Sequence, residues 1–155
     1  MSRGARRPMC HALSTILAAA LLAACGGGGG GDEGTPVPFA TLARTQNSGV
    51  ASREEVVVRG NAELTQLWGR ITVDGAPLPS IDFADFEVLG VFLGSRPNAC
   101  HAVEISRITQ TSARRVVTVR ESTPAPGAAC SQVTVTPAHL VVAARSTVPV
   151  EFVAE

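Results

Sequence analysis

The stretch Val88-Leu89-Gly90-Val91-Phe92-Leu93 constrains this chain more than any other. Its apolar residues follow one another without alternation, which suits a strand buried on both faces. Such a strand needs material packed above and below it. It is therefore expected at the centre of a sheet, with a helix on one side.

The segments around it read mostly as strand. Residues 39–45 and 54–59 are the first two, the second built on Val56-Val57-Val58. Gly60-Asn61 breaks that strand, and a short helix fits residues 62–68. Asn61 is placed to cap it, Glu63 favours its positive start and Gly69 stops it. Leu64, Leu67 and Trp68 fall on one face, with Trp68 expected to anchor the helix on the sheet. A loop rich in Gly and Pro follows at residues 74–79, then Ile81-Asp82-Phe83 and a turn before the apolar strand. Shorter strands are expected at 101–108, 115–120, 131–136, 140–144 and 148–153. Val133 and Val135 should share one face, as should Val148, Val150 and Phe152, and Pro149 marks an edge. The sum is a mainly β, β-rich α+β domain. It is expected to be a compact antiparallel sheet or sandwich of about seven or eight short strands with one short helix.

The N-terminus is of another kind. Arg3, Arg6 and Arg7 precede an apolar run from Thr15 to Ala24 that carries no charge. A charged region and a short apolar region are the two halves of an export signal. The run is roughly half of the ~20 residues that a spanning helix requires. Leu22-Ala23-Ala24-Cys25 has the form of a bacterial lipobox, with small residues before a cysteine whose thiol takes a diacylglyceryl group. Two or more acyl chains give stable anchoring where one gives only marginal binding. Six consecutive glycines, residues 26–31, follow the cysteine. Glycine has no side chain to pack and much entropy to lose, so residues 25–36 read as a flexible tether with a reach of roughly 18 Å. The organisation expected is a signal peptide at 1–24, a lipid-anchored linker at 25–36 and one domain at 37–155. Gly26, where an Asp would favour inner-membrane retention, points to the outer membrane in a cell with two membranes.

Removal of the leader takes Arg3, Arg6 and Arg7 from the thirteen basic residues, leaving ten against thirteen acids and a net charge near −3. That balance argues against nucleic acid as a partner. All basic residues are Arg, and Tyr is missing too. With the high Ala and Gly content this reads as base composition of the genome rather than function.

Of the four cysteines, Cys10 leaves with the signal and Cys25 takes lipid. Cys100 and Cys130 remain as a pair in an oxidising compartment and read as one disulfide. The loop it closes spans about 30 residues, for which the chain-entropy relation gives roughly 3–4 kcal/mol. In a simple meander these two cysteines would precede parallel strands about 10 Å apart, too far for a disulfide. Either the loops curl over the sheet end or the strand order is not sequential.

Candidate chemistry is sparse. Cys100, His101 and Cys130 with His139 or Glu104 could be drawn as a zinc site, but the spacing matches no CxxC or HxxxH pair. No G-x-S-x-G occurs, and no Ser/His/Asp set stands out. His101 reads as a strand-end residue and His139 as a surface residue. Asp82 and Asp85 suit turn hydrogen bonds. Glu54-Glu55 reads as a solvated edge, and Arg114-Arg115 as a solvated hairpin turn. No catalytic residue, metal ligand or cofactor is expected, and no binding residue is singled out.

An ordered series of short motifs does resemble a known family. It comprises Leu64-Thr65-Gln66-Leu67-Trp68, Ile81-Asp82-Phe83 before Val88 to Gly94, Val103-Glu104-Ile105, Thr136-Pro137, Leu140-Val141 and Pro149-Val150-Glu151-Phe152. The series, over most of residues 55–153, is similar to the C-terminal domain of the PrcB family, found in many bacterial lipoproteins. The resemblance implies a small β-rich domain. It also implies a non-catalytic accessory role, since the family is named for a lipoprotein that assembles and stabilises a surface protease complex. Two places depart from the pattern: Ala99-Cys100-His101 stands for Gly-Gly-Tyr, and Pro137-Ala138 for Pro-Tyr. The expected function is that of an envelope lipoprotein with a binding or accessory domain and an exported protein as partner. A purely structural lipoprotein is the alternative, and a hydrolase with a dispersed site the third reading.

Overall fold

The chain is described by a computed structural model over residues 34–71 and 76–155. The signal segment, Cys25 and the glycine run lie outside these residues, as do positions 72–75 of the Gly/Pro loop.

The apolar strand sits where its composition requires. It is β4 (Phe86–Phe92), and from Glu87 onward every residue of it is buried. Its neighbours are β7 (Ala138–Ala144) and β3 (Glu54–Val58), both antiparallel, and β2 (Phe39–Thr45) completes an inner sheet in the order β2-β7-β4-β3. A second, outer sheet runs β1 (Thr35–Pro36), β5 (Ala102–Gln110), β6 (Arg115–Ser122), β8 (Val150–Ala154). Helix α1 (Asn61–Arg70) packs on the other side of the inner sheet.

Three layers give the inner sheet two apolar faces. Toward the helix, Val88 and Phe92 meet Leu140, Leu64 and Leu67. Toward the outer sheet, Leu89, Val91 and Leu93 meet Val141, Ile105, Ile108, Val117 and Val119. Each such side chain contributes roughly 1.5–3 kcal/mol by leaving water. Gly90 is small for a packing reason: a Cβ there would lie 2.9 Å from Val56 Cγ2 and 3.3 Å from Leu140 Cγ.

The mainly β class with one helix agrees with the sequence, while several particulars differ. β6 and β8 pair in parallel, because the chain crosses to the inner sheet through β7 before returning. The helix is capped by Gly60 rather than Asn61, and it runs through Gly69 to Arg70. Glu63 compensates at its start by accepting the Arg59 N–H at 2.8 Å. Residues 131–134 form no strand, and only Val135 and Thr136 make isolated bridges. Val133 is consequently exposed while Val135 is buried. Ile81-Asp82-Phe83 leads into a turn in which Asp82 Oδ1 accepts the Ala84 N–H.

Both ways of closing the disulfide are used. The strand order is non-sequential, and Cys100 and Cys130 each sit in a loop, with Cα atoms 5.6 Å apart. The bond holds the β6–β7 crossover against the turn before β5, where the Ala99 N–H also reaches the Ser131 carbonyl.

Candidate functional site

Parity along β4 decides what happens at one end of the space between the sheets. Glu87 shares its face with Leu89 and Val91, so its carboxylate points into the core and is fully buried. A lone carboxylate there would be very costly, and it is paired twice. Arg115, the first residue of β6, donates from Nη1 to Glu87 Oε1 at 2.6 Å and to the Ala144 carbonyl at 2.6 Å. Its Nε donates to Gln110 Oε1 at 2.8 Å. Arg59, half-exposed at the end of β3, donates from Nε to Glu87 Oε2 at 2.8 Å. Burial pushes the Arg115 guanidinium below its ordinary pKa, and the Glu87 charge opposes that shift. Arg115 is thus not the solvated turn residue expected; only 2 % of its surface is exposed. Arg114 does occupy the turn, beside Glu151.

The opposite end holds His139. It too faces the outer sheet and is 1 % exposed, which corrects the expectation of a surface histidine. The reason is again parity, since Val141 and Ala143 lie on the same face of β7. The ring joins the sheets. Its Nδ1 accepts the Ile105 N–H at 2.9 Å, and its Nε2 lies 3.0 Å from Thr41 Oγ1. β1 pairs only with Thr109 and Gln110 of β5, so it does not extend to Ile105, and the imidazole serves that amide instead. A backbone amide can only donate, which fixes the proton on Nε2 and makes Thr41 the acceptor. Burial, helped by the Arg44 charge, pushes the His139 pKa down to about 4, with Glu104 opposing. The ring is therefore neutral near neutral pH, with its lone pair and its proton both engaged.

Above His139 a cleft of about 320 Å³ opens between the sheets, lined by Arg44 to Gln46, Ala102 to Glu104, Ser122 and Pro137. Arg44 and Glu104 pair across it at 2.8 Å. That contact holds the Glu104 carboxyl below its usual pKa. The cleft is thus lined by hydrogen-bonding groups and crossed by one ion pair.

The residues singled out from sequence are dispersed. Cys100 and Cys130 are joined, so neither thiol is available to a metal. His101 adjoins Cys100 in the chain, but among the described residues no group of three or more His, Cys, Asp or Glu is placed to hold a metal ion. Cys25 lies outside the described residues. Glu87 and Arg59 were missed, and Arg115 was placed in a solvated turn. A signal existed: an acid in the same parity as Leu89, Val91 and Leu93 needs a buried cation.

Strands β4 to β7, with the disulfide and His139 between them, form the centre of this arrangement. This segment, residues 88–143, matches the family model described as PrcB C-terminal. The match leaves out β1 to β3, the helix and β8, so it is narrower than the span of the resembling motifs. Arg115, His139 and both disulfide cysteines fall inside the PrcB C-terminal match, while Glu87 stands one residue before it. Ala138 is buried against the helix-side core. No significant match was found among curated proteins or among solved structures.

Proposed function

We propose that this protein is a membrane-anchored envelope lipoprotein whose domain is a non-catalytic binding or accessory module for an exported protein, such as a protease complex. The observation that carries the reading is the state of the interior ionisable groups. Glu87, Arg115 and His139 are each held by hydrogen bonds within the fold, joining strands to one another. Groups held in that way stabilise a scaffold, whereas a general acid or base must lie within reach of a substrate. The PrcB C-terminal match and the lipobox ending at Cys25 support the accessory role and the anchor respectively. The location that follows is the cell envelope, at the outer membrane where the cell has two.

The test is in-cell cross-linking of the full chain, followed by affinity capture and mass spectrometry. One dominant exported partner, lost when the Arg44–Glu104 cleft or the turn at 111–114 is altered, is the expected result. A purely structural lipoprotein would give no specific partner across several cross-linker lengths. Cys25→Ser separates the anchor from the domain: it should leave an unprocessed precursor lacking lipid, and a normally processed product would sink the lipoprotein reading.

A further inference from the structure

Strand β3 ends the inner sheet on the side away from β2 and pairs only with β4. It does so over Glu54 to Val58 without a bulge, so its outer edge is regular. Among the described residues, no backbone hydrogen bond outside that ladder reaches residues 54–58. Helix α1 runs beside the edge, and the two leave a groove of about 340 Å³ floored by Val56, Val58 and Leu67 and rimmed by Glu63 and Arg70. A straight valine-rich edge with unpaired backbone groups is a template for another strand.

We propose that the occupant is β3 of a second copy of this chain, paired antiparallel about a two-fold axis through Val57. The register follows from symmetry and charge. A two-fold perpendicular to a sheet returns every residue to its own face, so the axis must pass through a residue and not between two. Centring on Glu55 sets that carboxylate against itself. Centring on Val56 sets Arg53 against Arg59, twice. Centring on Val58 sets Val57 against Arg59 and Glu55 against Asn61, so neither charge meets its opposite. Centring on Val57 alone opposes Glu55 to Arg59 at both ends, with Val56 against Val58 between them. Opposite charges across a strand pair stabilise it, and like charges do the reverse.

The side chains are free to comply. Arg59 holds Glu87 through Nε, and its two terminal nitrogens have no hydrogen-bond partner among the described residues. Glu55 is exposed, and among the described residues it is held only by a 3.3 Å contact from Arg53. The segment Glu55-Val56-Val57-Val58-Arg59 is thus self-complementary when read against its own reverse. This inference stands apart from the lipid anchor and from any exported partner.

The test is disulfide trapping in the full chain, in cells, with mild oxidation and non-reducing electrophoresis. Directly opposed residues of an antiparallel pair have Cα atoms roughly 4.5–5.5 Å apart, inside disulfide range. Val57→Cys should therefore trap a dimer, and Val56→Cys and Glu55→Cys should not. Adding Glu55→Arg to Val57→Cys replaces attraction by repulsion at both ends and should lower the trapped fraction by roughly tenfold or more. A Val57→Cys chain as protease-resistant as the parent but wholly monomeric would overturn the proposal. Preferential trapping at Val56 would do so as well. Should Val57→Cys not fold, co-expressed Glu55→Cys and Arg59→Cys chains read the same register, trapping with each other but not with themselves. Their failure to trap overturns it equally.

Discussion

Acid should loosen this domain through one side chain. His139 has a pKa of about 4 in the fold against 6.5 for the free side chain. The unfolded chain therefore binds more protons between these values, and stability must rise with pH there. The contribution is fully present above about pH 6.5 and is lost as pH falls toward 4. A gap of that size corresponds to about 3 kcal/mol in total, of which about 2 kcal/mol is lost between about pH 7 and pH 5. The structural cause is specific: a proton on Nδ1 turns an acceptor into a donor facing the Ile105 N–H, at the hydrogen bond that ties β7 to β5. The assay is urea unfolding of the purified, disulfide-intact protein at a series of pH values. His139→Asn supplies the comparison, because the Asn carbonyl can accept from Ile105 but does not titrate. The variant should be less stable at neutral pH and should lack most of the loss between pH 7 and 5. If both proteins lose stability in parallel over that range, the histidine is not responsible and the reasoning fails.

Other perturbations follow from the same structure. Arg115→Met leaves Glu87 buried with only the half-exposed Arg59, and should cost about 3–5 kcal/mol in denaturant unfolding; the double change Glu87→Leu with Arg115→Met should recover most of it. Replacing both Cys100 and Cys130 by Ser should cost roughly 3–4 kcal/mol and expose the crossover at residues 123–134 to limited proteolysis before the rest of the domain. Gly90→Ala forces a Cβ to 2.9 Å from Val56 Cγ2 and should lower stability by about 1–3 kcal/mol, seen as a reduced melting temperature.

The sequence foretold most where hydrophobicity alone decides. Val88 to Phe92 had to be central, and Leu64, Leu67 and Trp68 had to cover it, because no other arrangement removes that much apolar surface from water. It was least informative where polarity misleads. His139 and Arg115 were read as surface residues on residue type, yet strand parity turns both inward, and each is satisfied by a partner far along the chain: Ile105 and Thr41 for one, Glu87 for the other. Residues 131–136 show a second limit. Alternation at Val133 and Val135 looks like a strand, but the segment makes only isolated bridges, at Val135 with Arg96 and at Thr136 with Asn47. The parallel partnership of β6 with β8 lay beyond reach for a related reason, since it depends on the chain first crossing to the inner sheet.

One small element acquires a mechanical meaning. β1 is held to β5 through only Thr35 and Pro36, with the Val37 N–H on the Ile108 carbonyl as the next bond along. Any load carried by the chain before Gly34 therefore falls first on this short zipper, not on the long ladders of β2, β4 and β7. Peeling two residues lengthens the connection by roughly 7 Å. A pull from that side would thus have two residues of pairing and the Val37–Ile108 bond to break before it reached the longer ladders.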